Sequence, residues 1–180
     1  MRQKSWYLTI GGILSAAMLL FALVGLFWTP YPPTALSAAD CYAPPSAAHP
    51  FGCDKLGRDI LSRTMDGAAT TMTIALAVLT VGFVLGLLIG ALCGYFGGPV
   101  DAVIMRLCDA IAAFPSILLG LVVIAVIGSG KYNVILALGI LFIPSFARLV
   151  RGEYIKYRDR DFVQSARLMK VSSPRIIFVH

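Results

Sequence analysis

Four apolar runs, residues 7–28, 70–95, 103–127 and 133–150, constrain the fold before any motif is considered. About 20 apolar residues carry a helix across a bilayer core; the first three runs reach that length and the fourth falls just short. At 58% hydrophobic residues and a mean hydropathy of +0.83, the chain is more apolar than a soluble domain, for which about 45–50% is usual. The sequence therefore predicts an all-α, polytopic membrane protein of about four spanning helices. The first run follows Arg2 and Lys4 and exceeds the roughly 7–15 apolar residues of a signal peptide. It ends at Trp28-Thr29-Pro30-Tyr31, an interfacial boundary rather than a small-residue cleavage site, and is read as an uncleaved span.

Cationic residues set the expected orientation, because cytoplasmic flanks retain Lys and Arg. Arg148, Arg151, Lys156, Arg158, Arg160, Arg167, Lys170 and Arg175 form the densest basic stretch, which is placed inside. Counting back through four spans puts the N-terminus inside as well. The loop from about Thr29 to Ala69 then lies outside, its Lys55, Arg58 and Arg63 offset by Asp40, Asp54, Asp59 and Asp66. The pI near 9.4 follows from this topology and from attraction to anionic lipid headgroups. No aromatic-interleaved basic patch points to nucleic acid.

Within the spans, Gly82, Gly86, Gly90 and Gly94 recur every four residues and form a stripe without side chains. Small-residue stripes let membrane helices approach closely, so helix packing is the first reading and sliding between inward and outward states the second. Arg106 and Asp109, three apart, are placed to pair across one helical turn, with Asp109 also a candidate pathway residue. Pro115 and Pro144 each predict a kink. Outside, residues 30–50 are too rich in proline for a long helix. Beyond them Asp54, Gly57, Arg58 and Asp59 form a charged, turn-rich cluster, with Asp59 capping the second span. Cys41 and Cys53 share this loop and allow a disulfide, with unpaired thiols the favoured state; neither they nor Cys93 and Cys108 have metal-ligand spacing. Gly128-Ser129-Gly130-Lys131 mimics the end of a phosphate-binding loop but lacks the first Gly and the final Ser/Thr. No nucleophile and base are paired in the sequence, so no catalytic residue, cofactor or metal site is assigned.

After the last span, residues 161–180 read as a short basic amphipathic helix, a break, and a second helix starting at Ser173-Pro174. Phe162, Ala166 and Met169 share one helical face, an apolar stripe offered to a partner. The segment resembles the EAA loop of ABC importer permeases, in which Glu-Ala-Ala is followed after three residues by Gly and later by His. Here Gln164-Ser165-Ala166 stand at the first three positions, Lys170 at the Gly and His180 at the His. Residues 49–63 (HPFGCDKLGRDILSR), 94–101 (GYFGGPVD), Met105-Arg106, Asp109, Phe114-Pro115 and 147–152 (ARLVRG) resemble the dipeptide, oligopeptide and nickel branch in the same order.

The resemblance implies a type I ABC importer transmembrane domain. Residues 1–69 would be an N-terminal membrane helix with an external loop, and residues 70–180 a partial transmembrane domain ending in the coupling segment. Phe162, Val163, Gln164, Ser165, Ala166, Met169 and Lys170 would engage a separate ATPase subunit that binds the ATP. Asp54, Gly57, Arg58 and Asp59 would face a substrate-binding protein, and a second permease subunit would complete the pathway for peptides or nickel and metal chelates. Family members continue past the His into Leu-Pro and about two further helices, so the chain reads as truncated. The alternative is a non-transporting membrane scaffold or small channel, assembled through the glycine stripe, with its terminal helix lying on the anionic leaflet.

Overall fold

The computed structural model describes residues 3–128, 130–158, 160–169, 171, 173, 175 and 176; the side chains of residues 3–5, 166 and 167 are not described. Its elements are α1 (Gln3–Phe27), a 3-10 turn (Ala38–Asp40), α2 (Ile60–Phe96), α3 (Gly98–Ala112), α4 (Ser116–Ile127), α5 (Lys131–Arg158) and α6 (Asp161–Leu168). One isolated antiparallel bridge, Cys53 with Asp59, is the sole β-type pairing among the described residues. By length and apolarity three of these helices can cross a membrane, or four if α3 and α4 together form one bent span. The chain divides into two compact units, Met1–Thr73 and Ile74–His180.

In the first unit α1 crosses the start of α2 closely. A Cβ on Gly25 would collide with the Met65 backbone, so the backbones touch where no side chain intervenes. Residues 28–59 form a turn-rich segment. Leu56 N and Arg58 N donate to Asp54 Oδ1 at 2.8 and 3.1 Å, making a tight turn around that carboxylate. Gly57 adopts φ +69° with Ser37 backbone packed against it, a place that admits neither a Cβ nor an ordinary backbone conformation. The helix then starts ten residues earlier than the apolar run at 70 indicates. Asp59 supplies the cap, and the more polar stretch from Ile60 to Ala69 is helical rather than loop.

In the second unit the glycine face of α2 lies against α5. A Cβ on Gly82 would come within 2.7 Å of Phe142 Cβ, one on Gly86 within 2.5 Å of Phe146 Cβ, and one on Gly90 within 2.5 Å of the Ala147 carbonyl oxygen. Gly94 meets Tyr154 in the same way, and Gly139 of α5 answers with a site against Val81. Phe83 and Phe146 close this seam edge to face, centroids 5.6 Å apart. Since lipid solvates apolar side chains as well as protein does, the gain comes from this backbone proximity.

Residues 103–127, one apolar run, are not one straight span. α3 and α4 meet at an angle of 91°. Pro115 explains the break: it lacks an N–H and disfavours helix in Phe114 before it, so the chain restarts at Ser116. Pro144 acts differently, since α5 continues through it from Lys131 to Arg158 and the proline itself is fully buried. The fourth span is thus longer than its apolar run, its last turns being charged and aromatic.

Candidate functional site

α6 is eight residues long and strongly two-sided. Val163 is buried and packs with Ile176, Tyr95 and Val171, which tethers the helix beneath the ends of α2 and α5. Tyr95 Oη donates to Ser173 Oγ at 3.3 Å, a second tie. Opposite this anchor, Phe162, Leu168 and Met169 stay exposed, at 49, 85 and 73%. Gln164 and Ser165 are also exposed, whereas the Ala166 side chain, Lys170, Pro174 and His180 lie outside the described residues. Of the sequence-assigned coupling residues, Val163 therefore faces inward, and Phe162 and Met169 form the outward stripe.

Two ion pairs join α3 to α5. Asp101 meets Arg151 through both carboxylate oxygens, and Asp109 lies 3.8 Å from Arg148. The Arg106–Asp109 pair expected from their spacing is replaced by this cross-helix contact, because Asp109 is on the face of α3 that meets α5. Arg148 also donates from Nε to the Pro144 carbonyl at 3.2 Å. No i, i+3 or i, i+4 rule identifies such partners; the usable signal is that a charge in an apolar helix needs an opposite charge on a neighbouring one.

In the turn-rich segment Asp59 is 4% exposed. Its Oδ2 accepts from Ser62 N and Ser62 Oγ, both at 2.7 Å, and its Oδ1 lies 3.0 Å from His49 Nδ1. Tyr31 stacks on the His49 ring at 4.7 Å and donates its N–H to Ser62 Oγ at 3.0 Å. Burial pushes the Asp59 carboxyl up, but the Ser62 hydrogen bonds and His49 outweigh it and hold it below the ordinary value. Asp54 binds Arg58 and Arg63 at 2.7 and 2.9 Å; the Arg58 side chain, with the Leu56 and Arg58 N–H groups, holds its carboxyl far below the usual carboxylate range, against the effect of burial. Three of the four residues assigned to this cluster thus form an internal clasp, with Asp59 inaccessible. His49, Tyr31 and Ser62 complete it. Cys41 and Cys53 are free thiols.

Over residues 82–180 the sequence matches the family described as binding-protein-dependent transport system inner membrane component. The chain belongs to that family. It is similar to the glutathione transport system permease protein GsiD of Pectobacterium atrosepticum, 43% identical over 136 residues that cover 76% of this chain and 45% of the relative. GsiD of Escherichia coli is 46% identical over the same share of each. The nickel transport system permease protein NikC of Escherichia coli is 35% identical over 178 residues, 99% of this chain and 64% of that protein. The aligned chain thus spans roughly half to two thirds of the length of these curated relatives.

The family match begins at the first glycine of the stripe and takes in the α2–α5 seam, the α3/α4 elbow and α6. The chain is thus an inner membrane component with helices enough for a multi-pass protein, and the relatives it resembles fall in the dipeptide, oligopeptide and nickel branch. Family members are transport permeases rather than enzymes. Gly128 and Lys131 of the phosphate-loop mimic end α4 and begin α5 respectively.

Proposed function

We propose that this chain acts as a permease subunit of an ATP-driven ABC importer, contributing wall to a pathway for peptides or for nickel and metal chelates. ATP is bound on a separate ATPase subunit, and this chain carries no cofactor. A second permease subunit and an external substrate-binding protein complete the assembly. The N-terminus and α6 face the cytoplasm and residues 28–59 the outside, in keeping with the basic residues that gather from Arg148 onward. The first helix and external loop run to residue 59, and the transmembrane domain proper begins with α2 at Ile60.

The observation that carries this reading is α6: a short helix anchored from one side by Val163 while its opposite stripe, Phe162 and Met169, is open to a partner. An ATPase cleft that closes on ATP would move such a helix as a unit, and the contact through Val163 to Tyr95 and Ile176 would pass the motion to α2. The nickel and glutathione permeases among the relatives support the solute class.

The test is co-purification of the membrane-embedded chain with its ATPase and the ATPase rate in that complex. Phe162→Asp and Met169→Glu together are expected to lower association at least tenfold while leaving the helical content unchanged. Undiminished association after both substitutions rejects α6 as the coupling element. Absence of any ATPase association in the unsubstituted chain rejects the permease reading and favours a scaffold.

A further inference from the structure

The α3/α4 elbow encloses, against α5, a notch of about 330 Å³ whose walls include Phe114, Ser116, Leu141, Pro144, Ser145 and Arg148. A guanidinium is permanently charged and presents five donors in a fork that fits a carboxylate. One of those donors is taken by the Pro144 carbonyl, and the nearest carboxylate, Asp109, stands at 3.8 Å, beyond hydrogen-bonding distance. Half of the Arg148 side chain and 61% of that of Asp109 are exposed. In a helix that crosses a bilayer such exposure faces water or another polar group, since hydrocarbon contact is expensive for both.

Arg148 stands two residues before the end of the apolar run 133–150, near the inner end of that span. Its Nε bonds back to Pro144, one turn toward the middle of α5, alongside Ser145. Ser116 and Ser145 line the same notch, so two hydroxyl-bearing residues stand beside the guanidinium in an otherwise apolar segment.

We infer that this notch is an anion subsite, taking a carboxylate group of the transported solute on Arg148 with the Ser116 and Ser145 hydroxyls beside it. The assignment rests on the permease reading, and it deepens that reading by naming the chemical group the pathway selects. Asp109 then serves as the resident counter-charge, loosely held at 3.8 Å and readily exchanged for an incoming carboxylate.

Thiol labelling of the chain in lipid nanodiscs tests this. The four native cysteines are replaced, and a single cysteine is introduced as Ser145→Cys or, should that fold poorly, Ser116→Cys. Anionic sulfonatoethyl methanethiosulfonate is expected to react about tenfold faster than the cationic trimethylammonioethyl reagent, as Arg148 is the charged side chain that lines the notch while Asp109 stands outside its walls. Adding Arg148→Gln is expected to abolish that preference. Trialanine is expected to slow the labelling, and trialanine amide, which lacks the carboxylate, to leave it unchanged.

Each contrary result overturns the inference in a different way. No labelling means that lipid tails or a second subunit cover the notch. Equal rates for the two reagents remove the anion preference, and equal protection by peptide and amide removes the carboxylate. A loss of labelling confined to phosphatidylglycerol discs, relative to a Leu149→Cys control, assigns the notch to a lipid phosphate. ATPase association is scored on the same preparations, so failure of the permease reading is seen separately from failure of the subsite.

Discussion

Asp101, in the first turn of α3, and Arg151 of α5 meet through two parallel hydrogen bonds, from Nε to Oδ1 and from Nη2 to Oδ2, the second 2.5 Å long. The carboxylate side chain is 16% exposed and the guanidinium 33%, so neither partner is well hydrated when the other is removed. Asp101→Asn is expected to cost about 2 kcal/mol, the scale for losing a charge-assisted bond with its partner left part-buried. Arg151→Lys, which keeps the charge and loses the fork, should fall between wild type and Asp101→Asn. Thermal unfolding in detergent gives these values, and a double-mutant cycle whose two effects simply add contradicts a direct pairing.

A different balance holds the segment after α1. Asp59 caps α2 and gathers His49 and Ser62, and its folded carboxyl lies below the ordinary value; Asp54, with Arg58 and Arg63, lies further below. For a depressed folded value the stabilisation is fully present above the unfolded carboxylate range of about 4. It is lost as pH falls through the folded value. Amide protection in residues 28–62 should therefore stay level from neutral pH to about 4 and decline only below it. Asp59→Ala should cost about 1–2 kcal/mol through the cap and remove only its own share of that acid dependence, leaving the share that Asp54 carries. Hydrogen exchange across this range checks both, and protection that already collapses near pH 6 contradicts the clasp.

The α2–α5 seam makes a prediction of its own. Gly86→Ala places a Cβ 2.5 Å from Phe146 Cβ, a position reached only if one helix backs away, because Phe146 Cβ is fixed to its backbone. The expected loss is about 1–3 kcal/mol, the usual scale for overpacking. Gly11→Ala is the control: no atom lies within 4 Å of its Cβ, and better helix propensity should leave stability equal or raised by up to about 1 kcal/mol. Melting temperatures of the two variants in one detergent decide it, and equal losses at both positions would sink the close-approach account.

Periodicity made the glycine face and the Asp59 cap legible, because both depend on spacing along one helix or on the residue preceding it. The extra turns at the start of α2 were hidden by polarity: Arg63 and Asp66 broke the apolar run although the backbone was already helical. Pro115 and Pro144 look alike in the sequence, yet one ends a helix and the other is built into one. What separates them is the neighbouring helix, since Pro144 is buried where α5 continues. The pairing of Asp109 with Arg148 rather than Arg106 has the same origin. Spacing gives the partners a side chain can reach within its own helix, and tertiary packing decides which of them, or which residue elsewhere, it meets.

That distinction gives α6 its sharpest test, because the spacing that groups Phe162 with Met169 leaves out Val163, the residue that fixes the helix in place. Val163 is 5% exposed against Ile176, whereas Phe162 beside it is half exposed. Val163→Ala removes two buried methyl groups and is expected to cost about 2 kcal/mol, appearing as lost amide protection in residues 161–169 with the transmembrane helices unchanged. Phe162→Asp should leave that protection intact. If the helix acts as a lever for an ATPase, Val163→Ala should preserve association while lowering the coupling of ATP hydrolysis to transport, and Phe162→Asp should lower association itself. Reversal of these two effects would mean that the anchor and the docking stripe are exchanged.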